Sequence, residues 1–169
     1  MKLKDFVKVT KTRKRRGWEW EDTLVKRIKS CHSYEAFRLG GASQILPDVL
    51  AISNKFSKIL VIEAKSGTTE YLVVKKGQIE HLLKFADTFK LYSNRYLILA
   101  FKFLRKRRLK RGSYEKRELK EYYKEFNLKF QKCKGISDII CTYDGSTYAI
   151  SKGEKKETDL PDFKMPFQK

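Results

Sequence analysis

The chain is short of the side chains that build most metal cages and covalent cross-links. Its three cysteines, Cys31, Cys133 and Cys141, are odd in number and lack the paired spacing of a zinc site. They read as reduced thiols of a cytosolic protein. His32 and His81 form no metal-ligand spacing motif in the sequence and read as ordinary residues. No apolar run is long enough to span a bilayer, and no lipidation motif is present. The opening text, Met1-Lys2-Leu3-Lys4, never reaches an apolar signal core. The expectation is a cytoplasmic, nucleoid-associated protein with no membrane partner. Acid is scarce too: 20 Asp and Glu stand against 39 Lys and Arg, a formal net charge of +19. A compact chain with that charge repels itself, and a polyanion is the usual partner that relieves it.

At 169 residues the chain suffices for one ordinary domain with a core. Residues 1–16 form a basic arm, too poor in apolar side chains to build a core and expected to be mobile in isolation. A single domain is expected over 17–151, and a loose tail mixing Lys, Glu, Pro and Phe over 152–169. Within the domain, Trp20, Leu24 and Ile28 recur at steps of four, predicting a helix over 18–29. Tyr34–Arg38 reads as a strand and Gly40-Gly41-Ala42-Ser43 as a tight loop. Val49–Ile52 and Ile59–Ala64 read as core strands joined by a polar turn, and Tyr71–Val74 as a short edge strand. Residues 76–89 read as an amphipathic helix, with Gln78 at its start read as solvated in preference to facing an active site. Tyr96–Leu104 is apolar throughout, like a central strand covered on both faces. Residues 105–134 open on a basic run from Arg105 to Arg111. Leu119, Tyr122, Tyr123, Phe126 and Phe130 then fall at three- and four-residue steps, which predicts a packed, basic helical insert. Ile139–Tyr143, Asp144-Gly145 and Ser146–Ile150 predict a β-hairpin. The element order suggests an α/β sheet of mixed direction with helices on its faces.

Chemistry gathers where the two core strands meet. Asp48 opens the first, and Glu63 and Lys65 close the second. Residues two apart on a strand share a face, so Glu63 and Lys65 point the same way. Adjacent strands would bring Asp48 beside them. Paired carboxylates suit Mg²⁺, which takes one or two of them and completes its shell with water and substrate phosphate. A lysine beside such an ion orients or deprotonates water when desolvation and nearby cations lower its pKa. That is equipment for metal-assisted phosphodiester hydrolysis.

The text Pro47-Asp48 … Glu63-Ala64-Lys65 resembles the PD-(D/E)XK nuclease signature. From Arg16 to Leu104 the order of features is similar to that of the archaeal Holliday junction resolvases within that superfamily. Arg16-Gly17 precedes the first helix, and Glu21, ahead of Leu24-Val25, falls at the position of the family's helical Glu. Arg38 precedes a small-residue loop containing Ser43, and the later helix carries Leu82-Leu83-Lys84-Phe85. Asp22 stands where the family often has a basic residue, and 105–134 is longer than in compact members. Glu19 competes with Glu21, whose spacing to Leu24 and Val25 favours it. Taken alone, Glu21 also suits a helix's first turn, where the macrodipole welcomes acid.

The resemblance implies an α/β, restriction-endonuclease-like mixed sheet flanked by helices. It implies Glu21, Asp48 and Glu63 as ligands of Mg²⁺, with Mn²⁺ as a substitute, and Lys65 and Ser43 in the catalytic set. Phosphate contacts are expected from Arg13, Arg15, Arg16, Arg38, Ser43, Arg105, Arg107 and Arg108. The function expected is a homodimeric, structure-selective endonuclease that resolves four-way DNA junctions. Two alternatives stand beside it. One is another endonuclease of the superfamily, restriction-like, repair or mobile-element. The other is a non-catalytic nucleic-acid-binding protein, which accounts for the charge but not for carboxylates gathered where phosphate must approach.

Overall fold

The structure, a computed structural model, describes residues 3–40, 45–109, 112–126, 136–151 and 153–168. The elements in chain order are α1 (Leu3–Lys29), β1 (Glu35–Arg38), β2 (Val49–Ser53), β3 (Lys58–Gly67), β4 (Tyr71–Val74) and α2 (Lys76–Asp87). They continue as β5 (Asn94–Phe103), β6 (Lys106–Arg108), β7 (Tyr114–Lys116), β8 (Lys120–Glu125), β9 (Asp138–Thr142), β10 (Thr147–Ser151) and β11 (Glu154–Glu157). A five-stranded sheet runs β1-β2-β3-β5-β8. Its β3–β5 pair is parallel and its other pairs antiparallel. A four-stranded antiparallel sheet runs β11-β10-β9-β4, and β6 and β7 form a separate two-stranded ribbon.

Strands β3 and β5 are the spine. Ile59 and Val61, with Leu97, Leu99, Phe101 and Phe103, face a core shared with α2 and the smaller sheet. Leu60, Ile62, Ala64, Ile98 and Ala100 face the opposite core, closed by Trp20, Leu24 and Ile28 of α1. Both faces are covered, so the two strands read as continuous apolar runs with no polar alternation. The steps of four along α1 are a buried stripe. Trp20 Nε1 fixes the helix's position by donating to the Ala100 carbonyl at 3.3 Å. No helix among the described residues is long and apolar enough to cross a membrane.

Three expectations are corrected. The segment before Arg16 is not separate from the first helix, because α1 runs unbroken from Leu3. The stripe in 105–134 is not helical where it is described. Tyr122 and Tyr123 lie on β8, which pairs with β5 over Ile98–Phe103. Tyr122 packs with the α2-side core and Tyr123 is buried in the α1-side core. Adjacent residues that serve opposite cores fit a strand, whose successive side chains alternate between faces, and not a helix, where they lie only about 100° apart. Phe130 and Cys133 lie outside the described residues. Finally, the tail is not loose. β11 pairs with β10, and Leu160 and Met165 are buried. Phe163 N–H donates to the Tyr123 carbonyl at 2.7 Å, and Glu125 N–H to the Pro161 carbonyl at 2.9 Å. The terminal segment thereby covers part of β8's open edge, which would otherwise be a template for pairing with other chains.

Helix α2 has no Ser, Thr, Asp or Asn at its N-cap position, Lys75. Its cap comes from across the fold: Asp138 of β9 accepts the Lys76 N–H and the Lys75 ammonium, each at 2.8 Å. The Lys75 bond first, then the Lys76 N–H, hold the Asp138 carboxyl below its ordinary range. A depressed carboxyl contributes stability above the unfolded-state pKa and loses it as pH falls through the folded value. Asp138→Ala should therefore cost about 1 kcal/mol at pH 7 in urea unfolding. The difference from wild type should be smaller at about pH 3, below the ordinary Asp value of 3.8, because protonation of the unfolded-state carboxyl removes part of that contribution. An equal cost at both pH values would contradict the capping role.

Candidate active site

Strand β3 is apolar through Ile62 and then changes character. The ladder pairs Val49 with Ile62, so the residue entering β2 lies beside the residues leaving β3. Asp48 Oδ2 accepts the Ala64 N–H at 2.7 Å. The Asp48 carbonyl accepts Leu39 N–H at 2.9 Å and Gly40 N–H at 3.2 Å, pinning the segment after β1 against it. Glu63 is 3% exposed. Its Oε1 accepts the Lys65 ammonium at 2.6 Å and also the Gln78 amide of α2. The other end of that amide is fixed too, since Gln78 Oε1 accepts the Lys75 N–H at 3.3 Å. The expected pairing of Glu63 with Lys65 on one face is present, and Asp48 stands one strand away.

Glu21 reaches this cluster from α1. A Cβ at Gly40 would lie 3.2 Å from both Asp48 Oδ1 and Glu21 Oε2. Both carboxylates thus crowd one point on the backbone, and only glycine leaves that space open. Glu21 is buried and its Oε2 has no hydrogen-bond partner. Arg38 Nη1 stands 3.8 Å from that oxygen, while Arg38 Nε pairs with Asp22 at 3.3 Å. Arg38 also lies over the Trp18 ring. Glu19 instead points outward and pairs with Arg15 at 3.2 Å, so Glu21 is the helical carboxylate brought against Asp48. Of the other expected residues, Ser43 lies outside the described residues, as does the Arg13 side chain. Arg16 offers its carbonyl to the Ser66 hydroxyl at 3.3 Å. Arg105 and Arg108 are exposed, whereas Arg107 is held by Glu70 at 2.8 Å and Glu115 at 3.6 Å. Gln78 is a correction: expected in solvent, it grips Glu63. The signal was present, because Gln78 lies one helical turn before Leu82 of the buried stripe.

Burial raises the proton affinity of all three carboxyls. Asp48 is pushed up by desolvation against the pull of Lys65. Glu63 is pushed up by desolvation, with Lys65 opposing and Asp48 adding. Glu21 rises to about 7, chiefly by desolvation and then by the charge of Asp48. Such a cluster favours a cation. No three His, Cys, Asp or Glu among the described residues form a ready chelate. A hard divalent ion that takes one or two carboxylates plus water and phosphate needs no such cage. The unpartnered Glu21 oxygen and the all-oxygen donor set fit that kind of ion.

Glu21 binds its proton more tightly folded than unfolded. Stability should therefore fall as pH rises from its ordinary 4.5 to about 7. Glu21→Gln, which mimics the protonated form, should match the wild type at about pH 4, below the ordinary value of 4.5, without metal. At pH 8 it should be more stable by up to about 3 kcal/mol. Urea unfolding at the two pH values checks this, and parallel pH profiles would contradict it.

Comparison with known proteins bears on the chain's family and fold. The profile of the archaeal Holliday junction resolvase (Hjc) family matches residues 12–123, a span that holds Glu21, Asp48, Glu63 and Lys65. The search of curated proteins found no match. Among solved structures, the fold is similar to that of Archaeoglobus fulgidus Hjc, a Holliday junction resolvase from an archaeal hyperthermophile. That likeness has a TM-score of 0.50 at 18% identity and covers 76% of this chain and 85% of that one. It establishes a restriction-endonuclease-like fold. With two thirds of its sequence inside the family profile, this chain belongs to the archaeal Holliday junction resolvase family of nucleases.

Proposed function

We propose that the chain is a divalent-metal-dependent endonuclease that cuts four-way DNA junctions as a homodimer. The observation that carries this reading is the convergence of Glu21, Asp48, Glu63 and Lys65 at one end of the central sheet of a +19 chain. Three carboxylates gathered at one point would repel phosphate unless a cation lay between, whereas the basic surface attracts DNA. Asp48 and Glu63 would hold Mg²⁺, or Mn²⁺ in its place, with Glu21 joining directly or through water. The ion supplies Lewis acidity toward the scissile phosphate and favours ionisation of water. Gln78 fixes the Glu63 carboxylate, and Glu63 in turn fixes the Lys65 ammonium. Lys65 is thereby placed to hydrogen-bond the attacking water or a phosphate oxygen. Arg15, Arg16, Arg105 and Arg108 would contact phosphates, reading the branch by shape in place of base edges. Arg38 divides its charge between Glu21 and Asp22, which suits orienting the site as well as clamping phosphate. A two-fold dimer would present equivalent sites to equivalent strands of a junction. The setting would be the cytoplasmic nucleoid.

The test is incubation with a labelled four-way junction and sequence-matched linear duplex, with and without Mg²⁺. Paired cuts in the junction that require the metal support the reading. Equal cutting of linear duplex would transfer the chain to the restriction-like or repair nucleases, and no cutting of any DNA would overturn it. Asp48→Asn and Glu63→Gln should abolish cleavage while leaving junction binding intact or tighter. Lys65→Ala should lose about 10²–10⁴-fold in rate. Added Mg²⁺ should not restore Lys65→Ala, because the lost group acts on water and phosphate; restoration by metal alone would contradict that role.

A further inference from the structure

The β6–β7 ribbon is bound to the exit of β3, where the nuclease site lies. Leu104 N–H donates to the Gly67 carbonyl and Arg108 N–H to the Thr68 carbonyl, each at 2.9 Å. Arg117, just after the ribbon, clamps the joint. Its Nε donates to the Leu104 carbonyl at 2.9 Å, and its Nη2 to the Thr69 carbonyl at 3.1 Å. Its guanidinium lies over the rings of Phe103 and Tyr143 at 5.5 and 4.5 Å. Thr68 is three residues beyond Lys65, so the ribbon's base lies about 10 Å along the chain from that lysine.

The register divides the ribbon's side chains between two faces. Lys106 pairs with Lys116, Arg107 with Glu115 and Arg108 with Tyr114. Directly opposed residues share a face, and successive residues alternate. One face therefore carries Arg107 and Glu115 and is tied to the β3–β4 loop through the Arg107–Glu70 pair at 2.8 Å. The other carries Lys106, Arg108, Lys116 and Tyr114. Among the described residues none of its three cations makes an ion pair, and Tyr114 is 53% exposed. Lys106 directly opposite Lys116 is an unfavourable cross-strand pair. A polyanion relieves it.

We propose that this outer face grips the DNA backbone a few nucleotides from the cleaved bond, and that Tyr114 stacks on a base left unpaired at the branch point. The proposal rests on the nuclease reading above and assigns to the ribbon the discrimination between junction and duplex. Phosphate neutralisation supplies affinity that is independent of sequence. Stacking on an aromatic ring selects a base that is free of the duplex.

The experiment compares wild type with the outer-face variant Lys106→Ser/Arg108→Ser/Lys116→Ser, a charge-retaining variant Lys106→Arg/Arg108→Lys/Lys116→Arg, and Tyr114→Ala. Junction and linear-duplex binding are measured by anisotropy across a salt series, with Tm of the free protein alongside. The outer-face variant should bind junction at least tenfold more weakly at low salt. Its slope of log affinity against log salt should shrink by about 2–3, with Tm unchanged or raised. The charge-retaining variant should bind like wild type. Tyr114→Ala should weaken junction binding and leave duplex binding unchanged. Wild-type affinity and slope in the outer-face variant, or equal loss in the charge-retaining one, would overturn the backbone contact. Equal loss on both DNAs from Tyr114→Ala would overturn the stacking role. These outcomes are read only against a wild type that cuts junctions. A wild type that neither binds nor cuts them rejects the function itself and not the ribbon's part in it.

Discussion

Three carboxylates, Glu21 and Glu63 buried and Asp48 half-buried, lie together at the end of the central sheet, and the described structure sets only the cations Lys65 and Arg38 against them. Buried charge of one sign is costly unless it is paired, protonated or bound to a cation. The proton affinities record that cost, rising for Glu21, Asp48 and Glu63 alike. The surrounding structure holds the three in place despite their repulsion. A β-ladder sets Asp48 beside Ala64, and helix α1 delivers Glu21. An amide on α2 holds Glu63, and Gly40 keeps the gap open by having no Cβ.

That restraint depends on the two cores. β3 and β5 are fixed on both faces, so the register at Glu63 and Lys65 cannot slip without exchanging every buried side chain for its neighbour. The edge at β8 is secured by charge as well. Glu121 accepts Arg27 of α1 at 2.5 Å and the Tyr123 hydroxyl at 2.9 Å, with Lys102 at 3.3 Å. Its pKa is held below the ordinary range despite burial, chiefly by the Arg27 bond. Here a half-buried acid has Arg27 and Lys102 close by and its proton affinity falls, whereas Glu21 has only Arg38 at 3.8 Å among the described residues and its proton affinity rises. The contrast separates a structural acid from one suited to bind an ion.

Much of this could be read in the sequence because it depends on local pattern. The stripe Trp20/Leu24/Ile28, the apolar runs of β2, β3 and β5, the α2 stripe and the Asp144-Gly145 turn each declare their element. At Gly145 the chain adopts φ +93, and a Cβ would strike Tyr122 at 2.6 Å, so glycine is required. The pairing of Glu63 with Lys65 followed from strand periodicity alone. What escaped depends on distant partners. Tyr122-Tyr123 and Phe126 fit a helical stripe as well as a strand, and only the open edge of β5 decides between them. The order of the tail rests on Leu160 and Met165 finding cores built elsewhere. Asp138 capping α2 from 62 residues away leaves no local trace. The division of the basic run into a docking face with Arg107 and an outward face with Arg108 needs the β6–β7 register.

The central claim is that the carboxylate cluster forms a cation site used to cut DNA. Locating Mn²⁺ by its anomalous scattering, in crystals grown with a four-way junction, tests it most directly. The account predicts a peak about 2.0–2.2 Å from oxygens of both Asp48 and Glu63. It also predicts that the peak disappears in Asp48→Asn crystals. Cleavage of the junction in crystals whose only Mn²⁺ peak lies away from Asp48 and Glu63 would contradict it.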